Sequence, residues 1–195
     1  VLNDPRSNGR SVVEMVIGQM LTGARRIPDA WGETSRSEWK KSAVGRYEVN
    51  GKTFGVLGLG SIGSQVARVA QSLGMRIRFF DNSDVAQAVG ATMDWEAVHS
   101  LQELFEESDV LSVHLSAEDL RGRSNKNFIQ REHLLALGNK RPAESPRVFI
   151  NMGRGFLYEP DVLLAATSSG SVRQAFVDVF PVEPRNTAES WTNPY

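Results

Sequence analysis

Six consecutive residues, Gly58-Leu59-Gly60-Ser61-Ile62-Gly63, have the spacing GxGxxG and are the ones best placed to do chemistry. Such a string is common by itself. Here it follows an apolar run and opens a helical pattern, within a strand–helix–strand unit of ordinary length. Each glycine then has a task. Gly58 permits a tight turn, Gly60 lets backbone approach a diphosphate with no Cβ in between, and Gly63 lets the helix pack close to the strand. The helix start adds free N–H groups and a partial positive charge. Asp81 completes the pattern, 18 positions beyond Gly63 at the end of the next apolar run. A carboxylate there accepts hydrogen bonds from ribose hydroxyls and repels a 2′-phosphate. No Lys or Arg stands in Asn82-Ser83-Asp84 to welcome that phosphate, so NAD is expected over NADP. The competing reading is a methyltransferase with a glycine loop for S-adenosylmethionine. The loop's place at a helix start favours the dinucleotide.

Further candidates stand where apolar runs end. Arg154, in Asn151-Met152-Gly153-Arg154-Gly155, could form a bidentate pair with a substrate carboxylate or simply a surface salt bridge. Asp178, and Glu183 in Phe180-Pro181-Val182-Glu183-Pro184, either line a site or cap a turn. Of the three histidines, His114 ends a strand and could face a cofactor, whereas His99 and His133 sit beside helices. None is assigned a catalytic proton transfer. No spacing of His, Asp and Glu suits a metal, and the tryptophans read as packing residues.

These residues need a scaffold. A wide apolar face at Val12, Val13, Val16, Ile17, Met20 and Leu21 predicts a buried helix over 11–21, with Ser11 and Glu14 at capping-box spacing and Pro28 helping to stop it. The polar stretch 29–50, containing Trp31, Trp39 and Tyr47, reads as an extended arm. Beyond Lys52, strands are expected at 53–57, 76–80, 109–115, 148–151 and 174–179. Helices are expected over 62–73, from the Ser100/Glu103 capping box, over 132–137 and over 161–167. The polar segment 138–146 reads as a surface loop. Alternating strands and helices give a Rossmann-type α/β fold, a doubly wound parallel sheet with helices on both faces. The division expected is a leading helix and arm over 1–50 and a nucleotide-binding core over 51–195.

Composition narrows the function. With 22 basic and 23 acidic side chains in 195 residues, the composition gives no push towards nucleic acid and none is expected as a partner, though it leaves room for a local basic face. The absence of cysteine excludes disulfides, thiolate nucleophiles and Cys-ligated zinc, and suits a reducing compartment. No apolar run is long enough to cross a bilayer and the first ten residues are polar, so no membrane is expected and the setting expected is cytoplasmic.

Taken together, several segments resemble the D-isomer-specific 2-hydroxyacid dehydrogenase family, over almost the whole chain. Ser7-Asn8-Gly9-Arg10-Ser11-Val12-Val13-Glu14 resembles the start of the helix leading into that family's cofactor domain, and Arg25-Arg26-Ile27-Pro28 with Trp39 its following arm. The turn from Val56 to Gly63, the strand from Ser108 to His114, the Asn151 to Gly155 segment and the run from Asp178 to Pro184 follow in the family's order. The opening is most similar to the branch that acts on D-3-phosphoglycerate; glyoxylate and hydroxypyruvate reductases are close relatives.

The resemblance implies roles. Ser61 and Ile62 would present amides to the pyrophosphate and Asp81 would hold the ribose. Met152, Gly153 and Arg154 would lie along the nicotinamide, with Asp178 near its carboxamide. Arg154 would bind the carboxylate of a 2-hydroxy or 2-keto acid, and Glu183 would pair with a histidine and raise its pKa. The family's acid–base histidine follows that glutamate by a few tens of residues, beyond Tyr195, and its substrate domain is missing. The expectation is therefore a fragment that binds NAD and turns over negligibly. Ser116 replaces a usual proline, the 138–147 loop is longer than usual, and Tyr158-Glu159 replaces a small apolar residue and an Asp. Family members clasp a second subunit through the leading helix and arm, which implies a homodimer. Other members are corepressors whose cofactor domain controls dimerisation, and a dinucleotide-sensing module is the alternative to an enzyme.

Overall fold

A computed structural model describes residues 9–42, 44–184 and 190–195. Ser7 and Asn8 of the opening segment lie outside the described residues. Helix α1 spans Gly9–Arg25 and buries Val13, Val16 and Met20. Ser11 is therefore inside the helix rather than at its cap.

The stretch beyond α1 departs from the extended arm expected there. Arg26 adopts left-handed dihedrals (φ 51°, ψ 48°), and a second helix, α2, runs over Ile27–Ser35. Pro28 sits at the start of α2, where its fixed φ suits a first turn and its missing N–H costs nothing. It begins one helix as much as it ends another. Residues 36–42 then run without regular structure.

The sheet comprises β1 (Thr53–Leu57), β2 (Arg76–Phe80), β3 (Glu96–Ala97), β4 (Val110–Val113), β5 (Val148–Asn151) and β6 (Gln174–Val177). Its order is β3-β2-β1-β4-β5-β6 and every pairing is parallel. Helices α3 (Ser61–Ser72), α4 (Asp84–Thr92), α5 (Leu101–Glu106), α6 (Arg131–Leu135) and α7 (Pro160–Ser168) connect the strands. The sequence pattern gave no sign of α4 or the two-residue β3. Side chains of β1 and β5 alternate between two cores. Phe54, Val56, Val148 and Ile150 join α1 and α3 on one face, while Leu57 and Phe149 join α5, α6 and α7 on the other. Burial on both faces explains why these strands read as continuous apolar runs. Each large apolar side chain removed from water contributes about 1.5–3 kcal/mol.

The capping box at the start of α5 holds as expected. The Ser100 hydroxyl accepts the Glu103 amide at 3.1 Å, and the Glu103 carboxylate accepts from the His99 amide at 3.0 Å, closing the start of α5. The long 138–147 loop is tied down by the buried Asp109 carboxylate, which receives the Thr53 amide at 2.8 Å and Arg141 Nε at 3.1 Å. Among the described residues no helix is long and apolar enough to cross a membrane.

Candidate functional site

In this strand order the chain leaves β1 and β4 in opposite directions, which opens a crevice at their carboxyl ends. The registers make that edge level. Phe80, Leu57, Val113, Asn151 and Val177 pair across the sheet in one row. One step beyond that row stand Gly58, Asp81, His114, Met152 and Asp178. Five of the residues singled out by sequence thus share a single edge, placed there by strand lengths rather than by direct contact.

The glycine turn has the geometry its spacing implies. Gly58 has φ +92°, a region that L side chains rarely adopt, and its amide donates to the Phe80 carbonyl at 3.0 Å. A Cβ on Gly63 would lie 2.1 Å from the Gly58 carbonyl oxygen, so α3 and the turn touch without room for a side chain. A Cβ on Gly60 would meet nothing within 4 Å. No packing within the protein therefore requires glycine at position 60; the open space lies outside the turn, where a ligand would approach. Gly60 caps α3 and its carbonyl accepts the Ser64 amide at 2.9 Å. The amides of Ser61, Ile62 and Gly63 then have no partner inside the helix.

Asp81 is fastened to this turn. Its Oδ2 accepts the Leu59 amide and its Oδ1 the Ser83 amide, each at 2.8 Å. A carboxylate offers about four lone-pair positions, so each oxygen keeps capacity for a further donor. The turn, Asp81 and the stretch after β4 surround a cleft of about 900 Å³, at the upper end of small-molecule sites. His114 lines the same cleft. Its amide donates to the Leu57 carbonyl at 2.7 Å and its Nε2 shares a 2.9 Å hydrogen bond with Ser112 Oγ. Burial of the imidazole lowers its pKa to about 4, so the ring is neutral near pH 7.

The second group of candidates stands on the same edge but lines no part of that cleft. Met152, Gly153 and Arg154 form a turn held by the buried Asn151. Its Oδ1 accepts the Gly153 amide, and its Nδ2 donates to the Arg154 carbonyl, both at 3.0 Å. Asn151 Nδ2 also donates to the Tyr158 hydroxyl at 3.3 Å, a contact the sequence reading missed. Tyr158 is buried, and burial pushes its hydroxyl pKa up. Gly155 lets this turn meet the Phe180 backbone, since a Cβ there would come within 2.0 Å of the Phe180 carbonyl carbon. Arg154 is exposed and forms no ion pair among the described residues; its side chain donates to the Gly153 carbonyl at 2.8 Å. Asp178 is exposed, with its amide on the Asn151 carbonyl at 3.2 Å. Glu183 is exposed and accepts the Phe180 amide at 2.9 Å. No histidine among the described residues pairs with it.

The sequence reading also missed the segment 116–125, which supplies the β4 side of the cleft. Ser116 stands there with its hydroxyl donating to the Glu118 carbonyl and its own carbonyl accepting Asn125 Nδ2 at 3.1 Å. Its polar pattern reads as a plain loop, and nothing in the spacing marks it.

The turn fits a dinucleotide on structural grounds: an open approach at Gly60, unpartnered helix amides, and a carboxylate fixed beside them. Comparison with known proteins agrees. Residues 17–194 match the family model described as D-isomer specific 2-hydroxyacid dehydrogenase, NAD binding domain. The chain is 37% identical over 194 residues to a D-3-phosphoglycerate dehydrogenase of Haemophilus influenzae, covering 100% of this chain and 44% of that protein. The fold superposes on a glyoxylate reductase from Paecilomyes thermophila with a TM-score of 0.74 at 27% identity, covering 97% of this chain and 54% of the other. A Salmonella D-lactate dehydrogenase gives 0.73 at 28%, covering 88% and 48%. The chain spans less than half the length of the curated relatives it matches. The family model takes in nearly every residue, and the chain belongs to the D-isomer specific 2-hydroxyacid dehydrogenases, as their NAD-binding domain.

Proposed function

We propose that this chain is the cofactor half of an oxidoreductase that moves a hydride between NAD and a D-2-hydroxy acid, with D-3-phosphoglycerate the foremost candidate substrate. The observation that carries the reading is the fixed pairing of the Gly58–Gly63 turn with Asp81 at the sheet's switch point. The similarity to D-3-phosphoglycerate dehydrogenases supports the substrate. The nucleotide-binding core is 51–195, and 1–50 serves as helix and arm.

Bound NAD would supply or accept the hydride; the protein supplies position and field. The amides of Ser61 and Ile62, with Gly58, Gly60 and Gly63 clearing the way, hold the diphosphate. Asp81 accepts the ribose hydroxyls and keeps a 2′-phosphate away. Neutral His114 lines the cofactor cleft and adds no charge there. Met152, Gly153 and Asp178 face the nicotinamide end. Arg154, free of a carboxylate partner among the described residues, pairs with the substrate carboxylate and polarises its C2 oxygen. Glu183 keeps one oxygen for a histidine, whose pKa it raises so that the histidine carries the hydroxyl proton.

A homodimer is part of the same reading. Trp31 and Trp39 are 75% and 86% exposed and Val44 84%, apolar surface that a lone chain leaves in water. These tryptophans do not pack within the described residues as expected, whereas Trp95 does. A cytoplasmic setting suits the cysteine-free composition.

The test is turnover by the gene product that carries this chain, with NAD and matched D and L 2-hydroxy acids. Oxidation of D isomers alone, with a KM raised at least about 100-fold by Arg154→Ala, is the expected result. Tight NADH binding with no turnover of any 2-hydroxy acid would replace the enzyme with a dinucleotide-sensing module.

A further inference from the structure

Phe149 and Asn151 are two positions apart on β5 and point to the same face of the sheet. Tyr158, seven residues beyond Asn151, lies across both. Its ring meets Phe149 edge-on, with centroids 5.6 Å apart and planes at 74°, and its hydroxyl reaches Asn151 Nδ2 at 3.3 Å. Tyr158 and Asn151 are both buried. The stretch between them is the turn that carries Arg154. On its outer side that turn is held by the close approach of Gly155 to the Phe180 backbone, and by the Phe156 and Leu157 carbonyls, which accept the Asn127 and Ile129 amides, both at 2.9 Å. On its inner side it hangs on Asn151. The Gly153 amide can only donate, so it is the amide oxygen of Asn151 that faces it, at 3.0 Å. The two hydrogens on Nδ2 then go to the Arg154 carbonyl, at 3.0 Å, and to the Tyr158 hydroxyl. Arg154 itself is extended (φ −143°, ψ 133°) and exposed, so its backbone is tied just before and just after the Cα while its side chain faces water.

We propose that Tyr158 is a positioning residue for Arg154: its hydroxyl holds the Asn151 amide in the orientation that pins the Gly153 amide and the Arg154 carbonyl, so the guanidinium is presented from a fixed base. The inference rests on the reading of Arg154 as the group that meets the substrate carboxylate, and adds to it a buried residue outside the cleft. Burial keeps the phenol neutral, so no charge inside the turn competes with that carboxylate for the guanidinium.

The test compares Tyr158→Phe with wild type in the gene product that carries this chain, using NAD and whichever of D-3-phosphoglycerate and D-lactate the wild type oxidises. Phenylalanine keeps the ring on Phe149 and removes only the hydroxyl. KM for the hydroxy acid should rise about five-fold, the worth of one neutral hydrogen bond, with kcat changed less. Binding of ADP-ribose, which carries the adenosine half and the diphosphate but no nicotinamide, should be unchanged. In an Arg154→Ala background, adding Tyr158→Phe should bring little further loss in kcat/KM, because the residue through which it acts is gone. An unchanged KM overturns the inference. So does a matching loss of ADP-ribose affinity, or the same fall persisting in the Arg154→Ala background, since either makes Tyr158 a packing residue. A wild-type protein that binds ADP-ribose but oxidises neither acid overturns the inference together with the enzyme reading, whereas normal wild-type turnover with an indifferent variant overturns the inference alone.

Discussion

The amide of Leu59 donates to Oδ2 of Asp81 across 2.8 Å, so the glycine turn after β1 and the carboxylate after β2 are joined directly. The two are 22 residues apart in sequence and share no helix or strand. A dinucleotide meeting both groups would find them already ordered, which lowers the entropic cost of binding.

Replacing Asp81 tests both jobs of that carboxylate. Asp81→Ala removes the acceptor for Leu59 and Ser83 and the proposed acceptor for the ribose. Charge-assisted hydrogen bonds contribute about 1.5–3 kcal/mol each. NADH affinity should fall by roughly ten- to a hundred-fold, and the preference for NADH over NADPH should shrink because the repulsive charge is gone. Titration with both nucleotides measures the ratio; an unchanged ratio would contradict the assigned role.

The glycines should separate stability from binding. Gly63→Ala places a Cβ 2.1 Å from the Gly58 oxygen and must push the turn and α3 apart. Overpacking of this kind costs about 1–3 kcal/mol, a drop of several degrees in Tm. Gly60→Ser places its Cβ in open space and keeps a residue type suited to a helix N-cap, so it should leave Tm unchanged while weakening NADH at least about ten-fold, by blocking the approach. Thermal melts and titrations on the two variants check the contrast, and equal effects on both readouts would defeat it.

Stability should depend on His114 in acid. Burial lowers the folded imidazole from its ordinary 6.5 to about 4. Between those values the unfolded chain binds the proton and the folded chain does not, so stability declines as pH falls from 6.5 towards 4 and is unaffected by this group at higher pH. The slope from one such group is at most about 1.4 kcal/mol per pH unit. His133, also lowered mainly by burial, adds in the same direction. His114→Gln should flatten the dependence of the urea midpoint on pH between about 4.5 and 6.5, while leaving the part due to His133. An identical slope in both proteins would show that the imidazole is not held neutral.

Trp31→Ser and Trp39→Ser address assembly. If this surface clasps a second copy, wild-type chain sediments as a dimer at micromolar concentration and the double variant as a monomer with its helical signal intact. A wild-type monomer at that concentration removes the dimer from the account.

Much of this was legible in the sequence, and the reasons differ by element. β1, β4 and β5 are buried on both faces, and short apolar runs bounded by polar residues declare such strands. The glycine turn was legible because Gly58 needs a positive φ and Gly63 a close approach to the turn, while Gly60 faces open space. Helix α2 was not, because its nine residues bury no side chain and its Pro28 reads as a stop rather than a start. Helix α4 was hidden for a related reason: it buries only Ala86 and Gly90. β3 is a two-residue edge strand, too short for any period. The 116–125 segment and the link from Tyr158 to Asn151 depend on contacts that spacing does not encode. The level row from Asp81 to Asp178 depends on strand register, which only the assembled sheet sets.

Titration of the purified chain with NADH, followed by competition with ADP-ribose and with S-adenosylmethionine, tests the central claim most directly. The account predicts saturable NADH binding that ADP-ribose displaces and S-adenosylmethionine does not, with affinity reduced in Asp81→Ala. Absence of NADH binding, or displacement by S-adenosylmethionine alone, would contradict it.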